Sequence, residues 1–276
     1  AVGPSEAIYR FVGKSLERGL PARMQRIKKG RALSAEAIQD LGKAFARAAL
    51  IAKESGFDAV ELHGAHGYLL ASFLSPFRNR RTDSYGGDFN RRVRFIQEVY
   101  EGVRQAVGAA YPILFRLSGQ EYLAEGRKMQ ETVPIVKGLE ELGIDALDVS
   151  AGITMEAEAF TWLAPPASFS QGAFLRDAAE IKREVGIPVI GVGKIRDPWF
   201  AEKVLAEGQA DFIALGRTLI ADPEWPKKAL AGMTGEIRRC ISCNRCWSTL
   251  YRHAIGCAIN ARAGREHNVT AVPGED

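Results

Sequence analysis

The chain has 276 residues, 46% hydrophobic and 25% charged, and a net charge of +4. This suits one large α/β domain or a domain with an appendage. Lys and Arg are spread along the chain rather than blocked, which lends no support to a nucleic-acid partner. No apolar run approaches the ~20 residues of a membrane span, and no signal peptide is visible.

Residues 1–33 are rich in Gly, Pro and Arg with little periodicity, and read as a long loop. The start Ala1-Val2-Gly3-Pro4-Ser5 is not Met-led, so the sequence reads as an excerpt. Ser34 is an N-cap candidate for a helix whose apolar face is Ile38, Leu41, Phe45, Ala48, Ala49 and Ala52. Gly56 ends it. A short strand, Ala59–Leu62, then runs into a loop carrying His63, His66 and Tyr68. Pro76, Asn79, Asp83 and Gly86-Gly87 mark a long loop, and Asp88 can cap the next helix, with Phe89, Val93, Ile96, Val99, Val103 and Val107 inward.

A second strand is expected over 112–118, then a helix over 132–142 and a third strand over 146–150. A Pro-rich loop and a helix near 173–185 lead to a fourth strand over 188–193. A short helix over 198–207 precedes a fifth strand over 211–217. Continuous apolar strands alternating with helices indicate parallel strands buried on both faces. No Gly-x-Gly-x-x-Gly follows the first strand, which disfavours a dinucleotide-binding sheet. Polar residues gather at successive strand C-termini, where a (β/α)₈ TIM barrel places its active site. Only five β/α units are present, so the barrel is incomplete and three strands are expected before Ala1. The expected division is a partial barrel over 1–232 and a separate segment over 233–276.

The strand ends define a candidate site. Gly193-Lys194 and Gly216-Arg217 are Gly-led loops at consecutive strand ends, suited to a phosphate held by backbone N–H groups with Lys and Arg adding charge. Arg116, inside the apolar run Phe115-Arg116-Leu117, is costly to bury without an anionic partner and is expected to face a ligand such as a flavin ring. His63 and His66 lack a third ligand at metal spacing, so donation to a substrate oxygen is the stronger reading. Tyr68 is a candidate proton donor.

All four cysteines fall in Cys240–Cys257. Three at two-residue gaps (Cys240, Cys243, Cys246) with a distant fourth (Cys257) favour a [4Fe–4S] cluster; zinc and free thiols stay open. A local cluster of this kind points to a reducing compartment, the cytoplasm.

The stretch ELHGAHGYLLASFLSPFRNRRTDSYGGDFNRRVRF, followed by FRLSG, DVSAG, GVGKI and ALGRTLIADPEWPKK, resembles the old yellow enzyme family of NADH:flavin oxidoreductases. RRCISCNRCWSTLYRHAIGCAINARAGRE is similar to its iron–sulfur subgroup, which includes 2,4-dienoyl-CoA reductases, 2-enoate reductases and trimethylamine dehydrogenase. The resemblance implies an FMN-bound barrel in which His63 and His66 hold the substrate carbonyl or carboxylate and Tyr68 gives a proton. It further implies that Arg116 contacts the flavin ring, and that Gly193, Lys194, Gly216 and Arg217 hold the FMN phosphate. The subgroup continues into domains for NAD(P)H and a second flavin, FAD, expected here beyond Asp276. The implied activity is NAD(P)H-driven reduction of an activated C=C bond of a small molecule. The alternatives are oxidative removal of an amine, with Phe160 and Trp162 as a cation cage, or a cluster-bearing fragment without flavin. The excerpt alone is expected to bind FMN poorly.

Overall fold

The computed structural model describes residues 2–5, 8–9, 28–154, 156–250 and 254–267. The loop expected over 1–33 lies mostly outside them. Its described parts form β1 (Val2–Gly3), parallel to β4 (Arg31–Ala32), and β2 (Ile8–Tyr9), antiparallel to β3 (Lys28–Lys29). Two-residue strands carry no readable alternation, which is why the sequence shows only a loop there.

Helix α1 (Ala35–Glu54) begins where the Ser34 hydroxyl oxygen accepts the Ala37 N–H at 3.2 Å, and it ends in Gly56 at φ 86°. β5 (Val60–Gly64) follows, then α2 (Leu69–Leu74) and α3 (Phe89–Val107). The Asp88 carboxylate caps α3, accepting the Arg91 N–H at 3.0 Å. β6 (Ile113–Ser118), α4 (Met129–Leu142), β7 (Ala146–Ser150), α5 (Ala157–Leu163) and α6 (Leu175–Lys182) come next. β8 (Val189–Gly191), α7 (Pro198–Ala206), β9 (Phe212–Ile213), α8 (Arg217–Ala221) and α9 (Trp225–Leu230) complete the α/β part. A 3₁₀ turn (Thr234–Glu236) leads to the cysteines and α10 (Arg245–Leu250).

β5 to β9 form one parallel sheet whose spatial order is the chain order. These are five consecutive units of a (β/α)₈ barrel. Side chains alternate across a strand, so in-register residues share a face. The row Leu62, Phe115, Leu147 and Val189 points outward and is buried under the helices with Phe95, Ile96, Val99, Val103, Val136 and Ile181. The next row, His63, Arg116, Asp148, Ile190 and Phe212, points inward. This corrects the expectation of strands apolar and buried on both faces: the inner row is half polar, and Phe212 is 58% exposed.

β8 and β9 are shorter than expected because Gly193 (φ 127°) and Lys194 (φ 57°) turn the chain out of the sheet, and Gly216 already caps α8. Five short helices, α2, α5 and α8 to α10, are absent from the sequence reading. α2 is six residues long and apolar all round, with Leu70, Ala71, Phe73 and Leu74 buried, so no period shows. In α5 the helix-forming run ahead of Pro165-Pro166 is overshadowed by the prolines.

The expected boundary at 232/233 falls beside a tightly held join. The fully buried Asp222 accepts the Lys228 ammonium at 2.7 Å and the Arg238 N–H at 2.9 Å. Burial pushes its pKa up, but these bonds outweigh it and hold the carboxyl below the usual range. Ile237 packs with Trp225, Leu175 and Ile195, and Arg239 pairs with Asp197 at 3.0 Å.

Two glycines test the packing. A Cβ at Gly64 would run into the buried Phe115 ring, whereas one at Gly42 in α1 meets nothing within 4 Å. Gly64→Ala is expected to destabilise the intact protein by about 1–3 kcal/mol. Gly42→Ala is expected to be neutral or stabilising by about 0.5–1 kcal/mol. Urea unfolding midpoints check both.

Candidate active site

His63 is the inward residue near the end of β5, in register with Arg116. His66 sits just beyond the strand at φ 61°, a region that an L-residue enters only when its surroundings hold it there. Here they do. Its N–H donates to the Ser118 oxygen at 3.0 Å, and its carbonyl accepts the Thr154 N–H at 2.9 Å. Its Nε2 lies 2.7 Å from the Ser150 hydroxyl oxygen, and the Ser118 hydroxyl donates to the Gly152 carbonyl at 2.8 Å. The His63 ring lies 5.3 Å from the His66 ring and 5.2 Å from the ring of Tyr68, which is 50% exposed. The three expected residues therefore stand together.

His66 is neutral at physiological pH, and the surroundings of His63 favour its neutral form. Burial, then Arg116 and His63, push the His66 pKa down to about 3. Burial, then Arg116, lower that of His63. A neutral imidazole has one donor and one acceptor nitrogen. The Ser150 hydroxyl can donate to Nε2 or accept from it; in the tautomer where it donates, the His66 proton sits on Nδ1 and is available to a substrate oxygen.

Arg116 has an anionic partner that sequence reading did not assign. Asp148 occupies the same row of β7, and its Oδ2 is 3.5 Å from the Arg116 Nε. Asp148 is buried, which raises its pKa against the pull of Arg116. The pairing is incomplete: Arg116 Nε and Asp148 Oδ1 both lack a hydrogen-bond partner among the described residues. Glu61, two residues before His63, is also raised by burial and by Asp148. The signal for Asp148 was available, since a carboxylate inside Ala146-Leu147-Asp148-Val149 is as anomalous as Arg116 in its own strand.

Arg116, Gly193, Lys194, Gly216 and Arg217 line one cavity of about 160 Å³. A Cβ on Gly216 would meet nothing within 4 Å, so backbone is open to a ligand there, and Gly193 lies close against Phe174. An anionic group fits this basic cradle. The side chains are less free than expected, however. The Lys194 ammonium is spent on the carbonyls of Pro166 and Ala167, each at 2.8 Å, and of Phe169. Arg217 donates to the Pro165 carbonyl at 2.9 Å and to the Asn244 side-chain oxygen.

The cysteine loop forms another wall of the cavity through Cys240, Ser242 and Trp247. Burial lowers the Arg217 pKa, and Cys240, Cys246 and Cys243 act against that from close by. Burial raises the Cys246 thiol, and Cys240 and Cys257 add to the rise. Each of the four thiols is thus felt by Arg217 or by Cys246. Among the described residues no three His, Cys, Asp or Glu side chains close on a point as a single ion needs. A set of four thiols is the donor chemistry of an iron–sulfur cluster and equally of a structural zinc ion. Sequence reading also missed Arg78, buried in the loop after α2, which donates to the Thr154 carbonyl at 3.0 Å and to Glu156 at 2.6 Å. Its run Arg78-Asn79-Arg80-Arg81 reads as a solvated loop.

Comparison with known proteins identifies the family of the chain. The model of the NADH:flavin oxidoreductase / NADH oxidase family matches residues 7–236. An NADH oxidase of Thermoanaerobacter brockii is 50% identical over 242 residues, 86% of this chain and 36% of that protein. A cinnamate reductase of Clostridium sporogenes is 35% identical over 283 residues, 96% of this chain and 40% of that one. The solved structure of histamine dehydrogenase from Rhizobium sp. 4-9 superposes with a TM-score of 0.81 at 32% identity, covering 96% of this chain and 36% of that one. The chain thus spans well under half the length of these relatives.

The depressed His66 pKa makes stability depend on pH. The unfolded chain takes up a proton near pH 6.5 that folded His66 refuses down to about 3. Stability from this group is therefore full above about 6.5 and falls as pH drops towards 3. Between pH 6.5 and 5 the loss is about 2 kcal/mol. His66→Asn is expected to flatten that slope, read as the unfolding midpoint against pH.

Proposed function

The chain belongs to the NADH:flavin oxidoreductase / NADH oxidase family. From that premise we propose that it is the catalytic and cluster-bearing part of an FMN- and [4Fe–4S]-dependent oxidoreductase. In the intact cytoplasmic protein, NAD(P)H, by way of an FAD-bearing part, would drive reduction of a C=C bond conjugated to a carbonyl or carboxylate. The observation that carries this reading is the pair His63 and His66, both pushed towards the neutral form, with Tyr68 beside it and Arg116 in the next strand. The barrel part would run over 1–232 and the cluster segment over 233–276.

When bound, FMN supplies hydride transfer and the cluster supplies single-electron transfer. The chain's own residues bind and polarise. His63 and His66 donate hydrogen bonds to the oxygen that activates the double bond, where charge develops during reduction. In the neutral form they add no charge that would hold a carboxylate product. Ser118 and Ser150 keep His66 in its unusual backbone conformation, so the donor is in place before substrate arrives. Tyr68, exposed enough to meet substrate, gives the proton from its hydroxyl to the α-carbon. Arg116 would set a positive charge beside a reduced flavin, and Gly193, Lys194, Gly216 and Arg217 would hold the FMN phosphate. Cys240, Cys243, Cys246 and Cys257 would ligate the cluster.

Oxidation of an amine is the second reading, favoured by the likeness to histamine dehydrogenase. Its cation cage is poorly formed. Trp162 lies flat against Tyr122, 3.7 Å between centroids, and Phe160 stands edge-on to Trp247. Under anaerobic conditions the intact protein is expected to turn over enoates or enones; turnover of amines alone would reverse the assignment. Tyr68→Phe is expected to lower kcat for C=C reduction by about a hundredfold or more while NAD(P)H still bleaches the flavin. Cys243→Ser is expected to lose iron and its visible absorption, with flavin retained in part.

A further inference from the structure

Two residues between the cysteines make contacts that thiol ligation does not explain. Ser242 and Asn244 both hold left-handed backbone, at φ 56° and 58°. Ser242 is 2% exposed and lines the same cavity as Arg116, Gly193, Gly216 and Arg217. Its N–H lies 3.4 Å from the Cys240 sulfur, yet its hydroxyl has no hydrogen-bond partner among the described residues. A buried hydroxyl without a partner is destabilising unless something else fills the role. Asn244 is fully engaged. Its Nδ2 donates to the Ala164 carbonyl at 2.7 Å, and its Oδ1 accepts from Arg217. The same Arg217 nitrogen donates to the Pro165 carbonyl. Arg196, which also lines the cavity, reaches across to the Cys240 carbonyl at 3.3 Å.

Resting on the reading of this cavity as the flavin-phosphate site, we propose that the cysteine loop is one wall of that pocket. Ser242 gives its hydroxyl to the phosphate, and Asn244 is a positioning residue that holds the Arg217 guanidinium in line with it. The two cofactor sites are then coupled. A loop folded around its cluster presents Ser242 and Asn244 correctly, and a bound phosphate fixes the same two residues in return. By linkage each cofactor raises the affinity of the other by the same factor.

FMN and riboflavin differ only in the phosphate, so their affinity ratio isolates this contact. The full-length protein is stripped of flavin with its iron retained and titrated with each by fluorescence quenching. The wild type is expected to prefer FMN. Ser242→Ala is expected to weaken FMN roughly tenfold, the scale of one hydrogen bond to a charged group, and to leave riboflavin within about twofold. Asn244→Gly keeps the left-handed backbone accessible while removing the side chain, and is expected to lower the same ratio. Removing the cluster from the wild type is expected to do so too. Variants that keep the wild-type ratio, or that weaken both flavins equally, overturn the proposal. A wild type that holds neither flavin nor iron overturns the functional reading beneath it. A wild type whose ratio is unchanged by removing the cluster, while both variants lower it, overturns the coupling alone.

Discussion

Arg116 puts a full positive charge on the inner face of a parallel sheet whose outer face is closed by helices, and the residues around it are arranged in answer to that charge. Asp148 stands beside it in the same row, 3.5 Å away, but only partly neutralises it. His63, on the other side, is pushed towards its neutral form by burial first and Arg116 second, as is His66. Two imidazoles pushed towards the uncharged form next to a permanent cation make a site that attracts electron-rich oxygen. Moving any of these residues one position along its strand would turn it to the apolar face, so the site depends on register as much as on residue type.

Much of this was legible in the sequence, for identifiable reasons. Ser34 and Asp88 announce helix starts because a short polar side chain ahead of an apolar period has a definite partner in the first turn. Arg116 stands out as a polar exception in an apolar run, and His63, read as a loop residue, proves to be the inward residue of β5. What could not be read were contacts made across long stretches of chain. Ser118 and Ser150 look like ordinary strand ends until His66 turns back between them. Lys194 reads as a phosphate ligand, yet its ammonium closes the loop at 166–169. Asn244 passes for a spacer between cysteines although it binds Ala164, eighty residues away.

The segment after residue 233 is fixed to the barrel before its first cysteine is reached. Asp222 gathers Lys228 and Arg238, Ile237 enters the apolar cluster around Trp225, and Arg239 reaches Asp197. The cysteines accordingly emerge from an anchored stalk. That is why loop residues 240–247 can serve as a wall of a cavity formed mainly by the ends of β8 and β9.

The sheet order from β5 to β9 repeats the chain order. Within this sheet each strand from β6 to β9 pairs with the strand that precedes it in the chain. Such local pairing lowers the loop-closure entropy that makes parallel sheets slow to form. The cavity is the exception, since its walls run from Arg116 to Trp247. The scaffold is thus made of neighbouring segments, whereas the chamber draws its walls from residues more than a hundred positions apart.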